Sequence, residues 1–209
     1  MNKIDLTSID AIVFDLGGVL INLDYTLTTK AFEHLGIEHF STLYSQAQQS
    51  GLFDEFEKGK CSIPYFVNHL LDYLPSGTTA KQVVDAWNAM ILNFPEENLE
   101  LLHSLKNQKR TFLLSNTNDI HIQKVHRELQ KVTEEKTLHP YFEKVYFSCD
   151  IAMRKPDAEI FELVLRENQL TASRTLFIDD SEQHIESAKK LGLQTYFLTK
   201  GEKITQLFS

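Results

Sequence analysis

The chain predicts an α/β fold, a parallel-sheet core interrupted by an all-helical insertion, and three observations carry that prediction. First, four short apolar runs end in, or lead into, polar residues. Ala11-Ile12-Val13-Phe14 meets Asp15, and Phe112-Leu113-Leu114 meets Ser115-Asn116. Val145-Tyr146-Phe147-Ser148 leads to Arg154-Lys155-Pro156, and Leu176-Phe177-Ile178 meets Asp179-Asp180. Strands of a parallel sheet are buried on both faces, so they read as near-continuous apolar runs. Second, from Pro95 onward helix and strand patterns alternate, the mark of βαβ units. Third, residues 22–94 carry helical patterns only.

Taken in order, the first strand is expected over 11–15. Residues 25–35 then place Leu27, Ala31, Phe32 and Leu35 on one helical face, with Asp24 as N-cap and Gly36 as stop. Ser62 caps a second helix carrying Phe66, Leu70, Leu71 and Leu74, closed by Pro75. Thr78 or Thr79 caps a third, with Val83, Val84, Trp87, Met90 and Ile91 apolar. Beyond Pro95, residues 96–106 read as helix, 111–115 as strand, 119–130 as helix and 144–148 as strand. Residues 156–168 read as helix, 175–179 as strand, 182–191 as helix and 194–198 as strand. The expected division is a core of residues 1–21 and 95–209 and a helical insertion of residues 22–94. There is no internal repeat or low-complexity tract.

Composition excludes several functions. A net charge of −8 argues against a nucleic-acid partner, which would want a basic face. It leaves room for a small phosphorylated ligand, because one lysine and one cation can dominate locally. Cys61 and Cys149 lack metal-ligand spacing and read as reduced thiols. The N-terminal apolar stretch is broken by Asp15 and two glycines, unlike a signal peptide. No segment approaches the roughly 18 apolar residues of a membrane span. No membrane partner and a cytoplasmic location are expected.

In open α/β sheets, ligands bind beyond the carboxyl ends of the strands, so the four polar ends are expected in one cleft. A carboxylate directly after four apolar residues is expensive to bury unpaired, which singles out Asp15. Gly17-Gly18 lets the chain turn sharply there and bring its backbone, including amides able to cradle a phosphate, close to a ligand. Read alone, Asp15 fits equally well as a cap of the next element. Asp179 and Asp180 repel each other unless a cation joins them. Oxygen ligands from Asp15, this pair and a backbone carbonyl suit Mg²⁺; the plainer reading has one of the pair capping the helix near Glu182. Ser115 and Asn116 offer a hydroxyl and an amide N–H to a phosphoryl oxygen, or simply make a turn. Pro156 suits the first turn of a helix, which puts Lys155 just before a helix N-terminus, itself an anion site. By itself Arg154-Lys155-Pro156 would read as a surface segment.

In this order and on this alternation, the four segments resemble the haloacid dehalogenase superfamily. The likeness spans nearly the whole core and implies a Rossmann-like core with a type 1 helical cap. It implies that Asp15 is the nucleophile that becomes an aspartyl-phosphate and that the Gly17 carbonyl is a second Mg²⁺ ligand. Gly18 belongs to the phosphate-cradling loop. Ser115 and Asn116 match the phosphoryl-binding motif, and Lys155 the lysine that steadies nucleophile and phosphoryl charge. Asp180 matches the direct Mg²⁺ ligand and Asp179 its water-bridged neighbour. Asp15-Leu16-Gly17-Gly18-Val19, Leu114-Ser115-Asn116-Thr117-Asn118 and Met153-Arg154-Lys155-Pro156 are similar to the small-sugar-phosphate phosphatases, among them bacterial glucose-1-phosphate phosphatase. Phe56-Glu57-Lys58-Gly59-Lys60 also resembles that subgroup; Glu57, beside Gly59 in a charged link between apolar patterns, reads as a substrate-binding cap residue near the cleft or, equally, as a solvated loop acid.

Two residues depart from the family pattern. Most phosphatases of the superfamily carry an acid two residues after the nucleophile, where this chain has Gly17. His184 stands where Asn or Asp is usual and is read as packing against or orienting Lys155. The expectation is therefore Mg²⁺-dependent hydrolysis of a small phosphomonoester. The missing acid would cost on the order of 10²–10⁴-fold in rate. The alternatives are halide displacement from a 2-haloacid, against which the acidic pair argues, and a phosphometabolite-binding module that has lost turnover.

Overall fold

The computed structural model describes residues 4–37, 40 and 51–208. Five strands form one parallel sheet: β1 (Ala11–Phe14), β2 (Arg110–Ser115), β3 (Lys144–Phe147), β4 (Thr175–Asp179) and β5 (Gln194–Phe197), in the order β3-β2-β1-β4-β5. The central strand β1 is buried throughout. Its side chains alternate between two cores, as the two-residue period of a strand dictates. Ile12 and Phe14, with Leu113, Leu176 and Ile178 of its neighbours, face one side. Ala11 and Val13, with Phe112, Leu114 and Phe177, face the other.

Helices α5 (Glu96–Lys106) and α6 (Asp119–Leu129) cover the first side through Leu99, Leu102, Val125 and Leu129. Helices α8 (Ala158–Glu167) and α9 (Glu182–Lys190) cover the second through Ile160, Phe161, Val164, Ile185 and Ala188. A short turn of helix, α7 (Ser148–Ile151), follows β3, and α10 (Thr205–Phe208) closes the described chain. Pro156 is not in a first helical turn, contrary to the sequence expectation. The chain turns from Arg154 to Asp157, whose N–H donates to the Arg154 carbonyl, and α8 begins only at Ala158.

Between β1 and α5 lie α1 (Tyr25–His34), α2 (Leu52–Glu57), α3 (Ile63–Leu71) and α4 (Ala80–Trp87). Asp24, Ser62 and Thr79 cap α1, α3 and α4 as the sequence suggests, Thr79 through a reciprocal pair with Gln82. These helices share an aromatic core of their own. The rings of Phe56 and Phe66 stack at 4.0 Å and those of Phe53 and Trp87 at 5.3 Å. The chain enters and leaves this helical segment along two adjacent, antiparallel stretches. Leu23 bridges Ile91, and Asn22 exchanges backbone hydrogen bonds with Leu92 and Asn93. Among the described residues no helix is long and apolar enough to cross a membrane.

Candidate active site

Register brings the polar strand ends together. Phe14 pairs with Leu113 on one side and with Ile178 on the other. The next residues, Asp15, Leu114-Ser115 and Asp179, therefore leave the sheet at one edge. Asp15 is anchored there by its own N–H, which donates to the Ile178 carbonyl.

Lys155 arrives from the loop after α7 and is fully buried. Its Nζ donates to Asp15 Oδ1 at 2.7 Å and to Asp179 Oδ2 at 2.6 Å. Asn116 fixes this lysine by its backbone. Asn116 Oδ1 accepts from the Lys155 N–H at 2.9 Å, and Asn116 Nδ2 donates to the Lys155 carbonyl at 2.8 Å. The side chain of Asn116 is thus spent on positioning Lys155, and its backbone is the part left to meet a ligand. Ser115 is buried at the end of β2 and lines the cavity described below.

The two acids that share this ammonium differ. Burial pushes the Asp15 carboxyl up to about 6, against the pull of Lys155 and with the help of the nearby Asp179 charge. Burial also opposes the Asp179 charge, but Lys155 and His184 outweigh it and hold this carboxyl below the usual range. The geometry explains the difference. Asp179 accepts from Lys155, from the Ser181 N–H at 2.8 Å and lies 3.0 Å from His184 Nδ1, whereas Asp15 shares only Lys155. His184 therefore bears on Lys155 through Asp179, the carboxylate that both contact.

Carboxylate oxygens of Asp15, Asp179 and Asp180 lie within 4.8 Å of one another. An all-oxygen set of this kind fits Mg²⁺. Both oxygens of Asp179 are engaged, so Asp180 is the acid of the pair better able to meet a cation directly. Gly18 gives Asp180 its room. A Cβ on Gly18 would stand 2.1 Å from Asp180 Oδ2, at a φ of +70° that favours glycine. Gly18→Ala is therefore expected to push Asp180 aside and raise the Mg²⁺ concentration needed for half-maximal activity at least about tenfold. An unchanged requirement would remove Asp180 from the metal set.

A cavity of about 530 Å³ opens from Gly17, Ser115 and Asn116 toward the helical segment. Its walls include Leu16, Ile21, Trp87 and Met90, and Glu57 from the end of α2 also lines it. Two features here escaped the sequence reading. His121 of α6 stacks on Trp87 at 5.2 Å, and its Nε2 lies 3.2 Å from the Trp87 carbonyl. Burial drives this ring down to about 4, so it is neutral. Arg154 places its guanidinium 3.1 Å from both Asp54 and Glu57 of α2. His121 sits in no pattern that spacing could have singled out, and Arg154 stands out only as the neighbour of Lys155; each contact joins residues far apart in the chain.

The model of the haloacid dehalogenase-like hydrolases matches residues 9–192. The D-ribitol-5-phosphate phosphatase of Bacteroides thetaiotaomicron is 31% identical over 185 residues, 88% of this chain and 89% of the relative. A haloacid dehalogenase (HAD) family enzyme of the same organism, solved with magnesium and inorganic phosphate, superposes with a TM-score of 0.86 at 34% identity. That alignment covers 96% of this chain and 100% of the other. A HAD-like hydrolase structure from Porphyromonas gingivalis gives a TM-score of 0.83 at 33% identity over 94% of both chains. These likenesses carry the family and not its glucose-1-phosphate branch. With the sheet order, the strand-end carboxylates and a family match running from the residue before Asp10 to the glycine after α9, the chain belongs to the haloacid dehalogenase-like hydrolases.

Proposed function

We propose that this protein is a Mg²⁺-dependent phosphatase of small phosphorylated metabolites, sugar or polyol phosphates or their like. The observation that carries the reading is the buried Asp15–Lys155–Asp179 array beside Asp180, with the residues that follow Asp15 in the chain, Leu16 and Gly17, lining a cavity of about 530 Å³ together with Ser115 and Asn116. The D-ribitol-5-phosphate relative supports the substrate class. The net charge of −8 and the location we assign, the cytoplasm, agree with a metabolite partner rather than a nucleic acid.

In this scheme Asp15 attacks phosphorus in line with the leaving oxygen, and its free oxygen forms the aspartyl-phosphate. Lys155 holds Asp15 in line and neutralises charge on the transferring group. Ser115 and the backbone amides of Gly17, Gly18 and Asn116 donate to the equatorial oxygens. Asp15, the Gly17 carbonyl and Asp180 would hold Mg²⁺, with Asp179 behind them; when bound, the metal supplies the remaining positive charge at the phosphoryl group. Most of the rate then comes from positioning and electrostatics. Residues 22–94 act as a cap over a core of 1–21 and 95–209, which shields the reaction from water.

The test is phosphate release from a panel of sugar, polyol and aryl phosphates, with Mg²⁺ and with excess EDTA. Mg²⁺-dependent release is expected, together with a rise in melting temperature. At a hundredfold excess over its Kd the ion should add about 2.7 kcal/mol of stability. Full activity in EDTA would overturn the reading and favour halide displacement, which needs no metal. Gly17 favours the other alternative, a binding module without turnover. Tight binding of a phosphorylated ligand with no release from any ester would establish that instead.

A further inference from the structure

We propose that Glu57 serves as the proton donor and acceptor that position 17 lacks, reaching the leaving oxygen from the helical segment. The inference rests on the phosphatase reading above. Three observations carry it.

The first is location. Among the described residues that line the cavity, Glu57 contributes the one carboxyl group, and it shares that cavity with Gly17, Ser115 and Asn116. Its Oε2 is buried and lies 3.1 Å from Arg154 Nη2, so the ion pair holds the carboxyl group where the residue lines the chamber.

The second is fixation. Lys58 spans Asp54 at 3.1 Å and Asp157 at 3.8 Å, tying this end of α2 to the loop that carries Lys155. Gly59 packs so closely that a Cβ would lie 2.1 Å from the Cys149 carbonyl. The carboxyl is thus held at a set position over the core. A general acid needs that before it needs the right pKa.

The third is the state of position 17 itself. A Cβ on Gly17 would meet Leu23 Cδ1 at 2.5 Å. Leu23 occupies the place of a side chain there, so an acid at position 17 would first have to displace it. Of the histidines nearby, His184 is turned to Asp179, and His121, which lines the same cavity, is turned to the Trp87 carbonyl. The environment of Glu57 agrees. Burial raises its carboxyl above the usual range and Asp54 adds to that, while Arg154, His184 and Lys58 oppose.

The step balances. As Asp15 attacks, the P–O bond to the leaving group breaks and the Glu57 proton passes to that oxygen, giving the alcohol. Glu57, now a carboxylate, takes a proton from the water that attacks the aspartyl-phosphate. Asp15 is released as carboxylate, phosphate leaves and Glu57 is protonated again.

The experiment compares kcat/KM for p-nitrophenyl phosphate, whose leaving group departs without a proton, and n-butyl phosphate, whose leaving group needs one. In Glu57→Gln, butyl phosphate hydrolysis should fall on the order of 10²-fold or more through kcat. The p-nitrophenyl ester should lose less than about fivefold. Glu57→Asp, which keeps a carboxyl, should recover part of the butyl loss and also serves if the Gln variant does not fold. Equal losses on both esters, or a loss in KM alone, would overturn the proposal and leave Glu57 a docking residue. A wild type inactive on both esters would overturn the phosphatase reading and this one with it.

Discussion

Asp15→Asn is expected to abolish phosphate release while leaving the fold in place. Asparagine is the same size and keeps an oxygen for Lys155, but an amide oxygen cannot form and then give up an acyl phosphate. Removing a covalent nucleophile leaves only binding and electrostatic help, so the loss should reach at least about 10⁴-fold in kcat. A second readout separates loss of chemistry from loss of structure. The folded-state value of Asp15, about 6, lies above its ordinary value near 4. Its contribution to stability is therefore full at low pH and is lost as pH rises through about 6. Asparagine has no charge to hold. In metal-free protein, the melting temperature of the variant relative to wild type should become more favourable from pH 4.5 to pH 7.5. Phosphate release at the wild-type rate would exclude Asp15 as nucleophile, and a flat difference across pH would mean that its carboxyl is not strained by burial.

The fold was legible in the sequence where burial dictates residue type. A strand covered on both faces must be apolar at every position, so the runs before Asp15, Ser115 and Asp179 announced themselves, and their polar ends marked the cleft. Capped, amphipathic helices such as α3 and α4 were equally plain. Short elements were not. The six residues of α2 open at Gly51 with no side-chain cap, and a stretch of that length shows too little period to read. Yet α2 delivers Glu57 and Asp54. The contacts that matter most there join Arg154 to residues about a hundred positions earlier, a distance that no local pattern encodes. Gly17 was legible as a gap. That Leu23 fills the gap is a fact of packing, visible only once the linker beside Ile91 is in place.

Lys155→Met should be almost as damaging to activity as loss of Asp15 and far more damaging to stability. The lysine is fully buried between Asp15 and Asp179, with Asp180 close by. Methionine fills much of its volume against Phe177, so a cavity is not the main consequence. The main consequence is charge. Three neighbouring carboxylates lose the cation between them, and removing one partner of a buried ion pair typically costs about 3–5 kcal/mol. The effect must depend on pH in a definite sense. Lys155 is the chief attraction that offsets burial at Asp179 and the chief attraction that restrains the rise at Asp15. Without it both carboxyls titrate higher in the folded protein, and stability is lost as pH climbs through those raised values. The deficit in melting temperature should therefore be small near pH 5 and grow toward pH 8. Mg²⁺ should recover part of it, since the cation replaces some of the missing positive charge. Phosphate release should fall on the order of 10³-fold or more even with saturating Mg²⁺, the scale of losing one preorganised charge from a transition state. A deficit equal at pH 5 and pH 8 would show that Lys155 acts by packing, and near-normal turnover would remove it from the chemistry.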